Sequence, residues 1–263
     1  MTVTIAVAGK GGTGKTTVAS MIVRYLAEKK SGSILAIDAD PSSNLHSVLG
    51  LELEETIGEI REDMREEMQP SASMASTMPG GMSKQDYLDY QVRMALVEGD
   101  AVDLLAMGRP EGQGCYCAAN HMLRSIMDRM GRAYDYVVMD NEAGMEHISR
   151  RTTRDVDHLV IVTDPSQRGV EAARRIMAMI PGLEVNIGSV YLVVNRLWSD
   201  EMPAPLVDAV KAVGAELVGT VPNDPLMAEY DLAGRPLVQL PADAPVVQAV
   251  YRIAERILSN GQD

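Results

Sequence analysis

The 263-residue chain is predicted to be an α/β protein, a doubly wound and mostly parallel sheet flanked by helices. Three observations predict it. Short apolar, β-branched runs alternate with helical patterns from end to end, which calls for parallel pairing through right-handed crossovers. The runs lack polar alternation, as expected of strands covered on both faces. The first run also opens into a glycine-rich loop that leads straight into a helical pattern.

The elements follow in order. Val3–Ala8 (VTIAVA) is the first strand and Lys15–Lys30 the first helix. Further strands are expected at Ser33–Asp38, Val102–Gly108, Tyr134–Asp140, Asp157–Asp164, Ser189–Asn195 and Glu216–Pro222. Helical patterns at Arg168–Ile180, Ala204–Val213 and Pro245–Ser259 fill most of the later gaps. Residues 51–100 break the rhythm: a charged helical run, a Ser/Met/Gly-rich stretch (QPSASMASTMPGGMSKQ) and a second helical run (DYLDYQVRMALVEGD). That segment is expected to be a helical insertion with a mobile loop, its methionines packing rather than ligating. No internal repeat or second domain boundary is visible, so residues 1–263 are expected to form a single domain.

Composition narrows the function. A formal net charge of −13 repels phosphate backbones, so no nucleic-acid partner is expected. No stretch has the length of a membrane span, and the N-terminus reads directly as strand and loop rather than as a signal peptide. A cytoplasmic location without a membrane partner is therefore expected. In that reducing setting, the chain's 2 cysteines suit a metal or redox device better than a structural disulfide.

The loop GKGGTGKTT, Gly9 to Thr17, fits G-x-x-x-x-G-K-[ST] between a strand and a helix. Gly9, Gly11, Gly12, Thr13 and Gly14 let backbone N–H groups converge on phosphate oxygens, and the helix N-terminus adds its dipole. Lys15 is expected to reach the β- and γ-phosphates, Thr16 to ligate Mg²⁺, and Thr17 to lie near the α-phosphate. A chance glycine turn would not bring lysine, hydroxyl and helix into the same register.

Lys10, in KGGTGKT, is not required by the general loop. It resembles the deviant loop of the MinD/ParA/nitrogenase-iron-protein class of ATPases. That resemblance implies ATP as the ligand and a homodimer in which Lys10 crosses to the partner's phosphates. The plain alternative is a solvated surface lysine. The resemblance extends along the chain. In AIDADPSSN, Asp40 matches the carboxylate that orients the attacking water and Asp38 one close to the Mg²⁺ shell. In VVMDNEAG, Asp140 matches the carboxylate ending the metal-binding strand and Gly144 the turn that senses the γ-phosphate. Asn195 matches an adenine-contacting asparagine, and Pro222 lies in the loop (VPND) whose backbone frames the base.

Cys115 and Cys117 (GCYC) are separated by one residue. A disulfide there would close a very small ring, which its geometry disfavours. Two unrelated thiols in a turn are one reading. Half of a tetrahedral or square-planar thiolate site is another, because a two-fold dimer would supply four sulfurs. MGRPEGQGCYCAANHMLR and DNEAGMEHISRRTTR look like the CooC-type nickel-insertion ATPases. This closer resemblance implies Ni²⁺ held by Cys115 and Cys117 across the dimer, with Zn²⁺ competing in isolated protein. It also implies ATP-dependent delivery to carbon monoxide dehydrogenase or acetyl-CoA synthase as client. An iron–sulfur carrier or ATP-dependent reductase with a bridging [4Fe–4S] cluster suits four thiolates as well. A positioning or partition ATPase is a third reading.

Overall fold

Strand sequences such as VTIAVAG and ILAIDA have no hydrophilic face, and the computed structural model of the chain buries them on both sides. The structure describes residues 2–60, 90–108, 133–142, 155–183, 185–199 and 201–259. Seven strands are present among them: β1 (Val3–Gly9), β2 (Ile34–Ala39), β3 (Asp103–Ala106), β4 (Tyr136–Asn141), β5 (Asp155–Thr163), β6 (Asn186–Leu197) and β7 (Glu216–Pro222). They form one sheet in the order β3-β2-β4-β1-β5-β6-β7, and all six pairings are parallel. Helices are α1 (Lys15–Lys29), α2 (Leu45–Leu49), α3 (Gln167–Met179), α4 (Ala204–Lys211), α5 (Pro225–Leu232) and α6 (Pro245–Ser259). The doubly wound α/β architecture expected from the sequence is the one observed.

Strand alternation divides the core into two layers. Ile5 and Val7 of β1, Val138 of β4 and Val160 of β5 pack against Val18, Ile22 and Leu26 of α1 and Val246, Val250 and Ile257 of α6. Their neighbours Ala6, Ala8, Met139 and Ile161 face the other way, against Val170, Ala173 and Ile176 of α3 and Val210 of α4. β1 lies at the centre. The chain leaves it towards β2 on one side, whereas β5, its other neighbour, leads outward to β6. Oppositely directed crossovers open a crevice beyond the carboxyl ends of such strands, where α/β proteins take their ligands. The glycine loop after β1 sits at that crevice.

Two departures from the sequence expectation have plain causes. α2 and α5 were not expected, because their surroundings (DPSSN and VPNDP) are made of turn residues. In α5 those residues are the helix start itself. Asp224 caps the helix by accepting from Leu226 N at 3.0 Å, and Pro225 occupies the first helical position, where its missing N–H costs nothing. The second departure is the end of the expected helical run at 86–100. Residues 90–94 are helical, but Val97 and Leu104 then exchange both backbone hydrogen bonds, at 2.9 and 2.8 Å, across an antiparallel bridge. Gly99 allows this return: a Cβ there would lie 2.5 Å from Val102 O. The Ser/Met-rich stretch of the expected insertion lies outside the described residues.

Candidate functional site

The loop from Gly9 to Gly14 is held by its own threonine and by a distant strand. Thr13 donates from both N and Oγ1 to Lys10 O, at 3.3 and 2.8 Å. Asn195, near the end of β6, donates Nδ2 to Thr13 O at 2.8 Å. Gly12 and Gly14 have φ of 79° and 88°, the left-handed region glycine adopts at no steric cost. At Gly14 a side chain is excluded twice over, since a Cβ would meet Asn195 Nδ2 at 2.2 Å. α1 begins at once, with Val18 N bonded to Gly14 O at 3.0 Å. The arrangement leaves backbone donors of the first helical turn facing the crevice.

Beside the loop, parallel pairing sets two carboxylates next to each other: Asp38 on β2 and Asp140 on β4 are register partners. Both are buried. Thr16 Oγ1 donates to Asp140 Oδ2 at 2.5 Å, and Asp140 Oδ1 has no hydrogen-bond partner among the described residues. Burial pushes the Asp140 carboxyl up to about 6, against the pull of the Thr16 hydrogen bond and the Lys15 charge. Asp38 accepts from Leu45 N at 2.8 Å and Asp40 N at 3.1 Å. Burial, reinforced by the Asp140 charge, nevertheless pushes it up to about 7. A cation bound between them would favour the charged form of both carboxylates. A threonine hydroxyl and an unpartnered carboxylate oxygen are hard oxygen donors of the kind Mg²⁺ takes. Thr16 and Asp140 fit that ion, whose bound charge would neutralise developing negative charge on phosphate oxygens.

Most of the site residues expected from the sequence lie among the described residues. Lys15 is buried in the first turn of α1, Thr16 and Thr17 are half-buried beside it, and Gly11 and Lys10 are exposed. Asp40 is half-buried in the turn after β2, where Oδ1 accepts from Ser42 N at 2.9 Å. A cavity of about 490 Å³ runs from Thr16 and Thr17 past Asn195 to Pro222. Asn195 is the one whose contacts add something unexpected. Its amide braces the phosphate loop, and Oδ1 accepts from Arg196 N at 2.9 Å. Cys115, Cys117 and Gly144 lie outside the described residues. Sequence reasoning passed over Trp198 and Met227, which line the far end of the cavity. The signal available was that Trp198 is the chain's 1 tryptophan and falls just past a strand that ends at the site.

A buried lysine at a helix N-terminus, a glycine loop open to phosphates and a hydroxyl–carboxylate pair for Mg²⁺ define a P-loop nucleoside-triphosphate-binding protein. The comparisons make this specific. Residues 4–237 match the model of the CobQ/CobB/MinD/ParA nucleotide binding domain, and the chain belongs to that family as an ATPase of the MinD/ParA type. An uncharacterised ATP-binding protein of Methanocaldococcus jannaschii is 44% identical over 255 residues, 97% of this chain and 98% of that protein. The carbon monoxide dehydrogenase accessory protein CooC of Rhodospirillum rubrum is 31% identical over 236 residues, covering 88% of this chain and 87% of its own. Among solved structures, the cell division ATPase MinD of Pyrococcus furiosus superposes with a TM-score of 0.71 at 22% identity, over 99% of this chain and 100% of that one. That likeness concerns the fold. Among the described residues, no helix is long and apolar enough to cross a membrane.

Proposed function

We propose that this ATPase is a metallochaperone: it binds nickel through Cys115 and Cys117 and assists nickel insertion into carbon monoxide dehydrogenase or acetyl-CoA synthase. The observation that carries the reading is the likeness, over most of both chains, to the accessory protein CooC. The C-x-C pair supplies soft thiolate donors suited to such a cargo. One chain offers two sulfurs, so a complete four-sulfur site calls for a homodimer.

ATP supplies the reason for that dimer. Lys10 is exposed in the phosphate loop, where it acts in trans on the partner's phosphates as an arginine finger does. Lys15 holds the β- and γ-phosphates of the same chain, Asp40 orients the attacking water, and Asp140 and Thr16 hold Mg²⁺. Asp38 supports the metal shell, and Gly144 senses the γ-phosphate. Hydrolysis then loosens the dimer and releases the metal to the client.

Anaerobic equilibrium dialysis against nickel, paired with gel filtration, tests this. The expected result is one tightly held Ni²⁺ per two chains, absent from the variant carrying Cys115→Ser and Cys117→Ser. A chain that stays monomeric with MgATP and binds no metal through its thiols would falsify the reading. Iron with acid-labile sulfide in the anaerobic preparation would transfer the site to a [4Fe–4S] cluster.

A further inference from the structure

Trp198 is 79% exposed, an unusual place for the largest side chain in a protein with no phenylalanine at all. It stands just beyond β6, where three hollows meet. One is the nucleotide cavity that begins at Thr16 and Thr17. A second, of about 470 Å³, opens towards Thr220, Asp243 and Arg252. The third, of about 260 Å³, lies against Val170 of α3 and Leu206 of α4.

The end of β6 is irregular in a way that sets this position. Val194 pairs with Thr220, the register then slips, and pairing resumes at Leu197 with Pro222. Three steps along β6 therefore answer two along β7, which is a β-bulge of one residue. Within it Asn195 turns its amide onto the phosphate loop. Arg196 takes a φ of 58°, a conformation that L side chains adopt only under constraint. Beyond the bulge Leu197 returns to the core at 5% exposure, and Trp198 is left at the rim. Without the extra residue, pairing would continue in register and bring a different residue to the rim. The bulge thus couples the residue that braces the phosphate loop to the residue that borders the other end of the same cavity.

The two ends of the cavity differ in chemistry. The Thr16 and Thr17 end offers hydroxyls and the helix N-terminus, suited to phosphate. At the far end Trp198, Pro222 and Met227 offer flat and apolar surface. Of the two carboxylates there, Asp224 is occupied in capping, with one oxygen taking Leu226 N and the other Val246 N at 3.4 Å. A heteroaromatic base suits that end, because any base presents a π-face to an indole whatever its edge groups.

We propose that Trp198 stacks on the base of the bound nucleotide and closes the open end of the site. The inference rests on the reading of this cavity as the ATP site. It assigns Trp198 a binding role, felt in nucleotide affinity rather than in the chemical step.

The chain's one tryptophan makes its fluorescence a report on residue 198 alone. Wild-type protein is titrated with MgATP and with magnesium tripolyphosphate, a probe of the phosphate end without a base. Calorimetry and steady-state hydrolysis are run on wild type, Trp198→Ala and Trp198→Phe. The expected result is a change in emission with MgATP and none with tripolyphosphate. Trp198→Ala should raise the ATP Kd and KM by about tenfold without weakening tripolyphosphate, and Trp198→Phe should restore most of the loss. ATP binding and hydrolysis with unchanged Trp198 emission, and with Trp198→Ala at wild-type affinity, would overturn the stacking role and leave the ATPase intact. That outcome would leave the exposed indole as a protein-docking residue. Wild-type protein binding neither probe would overturn the ATP-site reading and the stacking role together.

Discussion

Asp38 and Asp140 occupy adjacent strands at the carboxyl end of the sheet, and their charges are held where water cannot screen them. Their folded values, about 7 and about 6, lie above the ordinary 3.8. The folded chain without metal or nucleotide therefore binds more protons than the unfolded chain across that window. The stability tied to this pair is fully present below 3.8 and is lost as pH rises through the folded values. Asp140→Asn removes one of these charges, keeps an acceptor for Thr16 Oγ1 and lowers the repulsion on Asp38. Thermal unfolding in a chelating buffer should show the variant more stable than wild type at pH 8, with the gain shrinking towards pH 4. ATPase activity should fall on the order of 100-fold, because the carboxylate is needed once the cation is bound. An Asp140→Asn protein less stable than wild type at pH 8 would show that burial does not strain this pair. The phosphate loop and these acids were legible in the sequence because each is a fixed residue type at a fixed spacing after a strand. The brace from Asn195 to Thr13 O was not, since 182 residues separate them and only the sheet order brings them together.

Elements were legible to the degree that burial enforces a pattern. β2 is buried at every residue, and its sequence, ILAIDA, leaves no other reading; β4 is buried beyond its first residue and β1 beyond its first two. Helix ends depend instead on single caps. At the start of α3, Ser166 accepts from Gly169 N at 3.0 Å while Asp164 Oδ1 accepts from Ser166 N at 2.9 Å, so a segment reading as turn (TDPSQ) is also a helix start. Ser166→Ala should cost about 1 kcal/mol in denaturant unfolding, with the ATP KM unchanged. A larger loss with weakened ATP binding would mean that this cap also positions the phosphate loop through β5. Short helices such as α2 escaped because five residues carry too little periodicity to be recognised. The Val97–Leu104 bridge escaped for a related reason, since alternation over so few residues resembles the end of an amphipathic helix.

At the scale of the molecule, the sheet explains why so much chemistry converges. β1 delivers the phosphate loop, β2 and β4 the paired acids, and β6 both the loop's brace and the aromatic rim. All of them end at the same edge because every pairing is parallel. The proposed dimer and metal cargo rest on Lys10, the C-x-C pair and the resemblance those residues carry, not on any long-range geometry.

The proposed function couples ATP hydrolysis in this fold to metal transfer. It is tested most directly by mixing nickel-loaded protein with nickel-free carbon monoxide dehydrogenase and following the client's activity against ATP consumed. Wild type with MgATP should activate the client, whereas Lys15→Ala, or wild type with a non-hydrolysable ATP analogue, should not. Activation at the same rate and extent in all three mixtures would contradict the account.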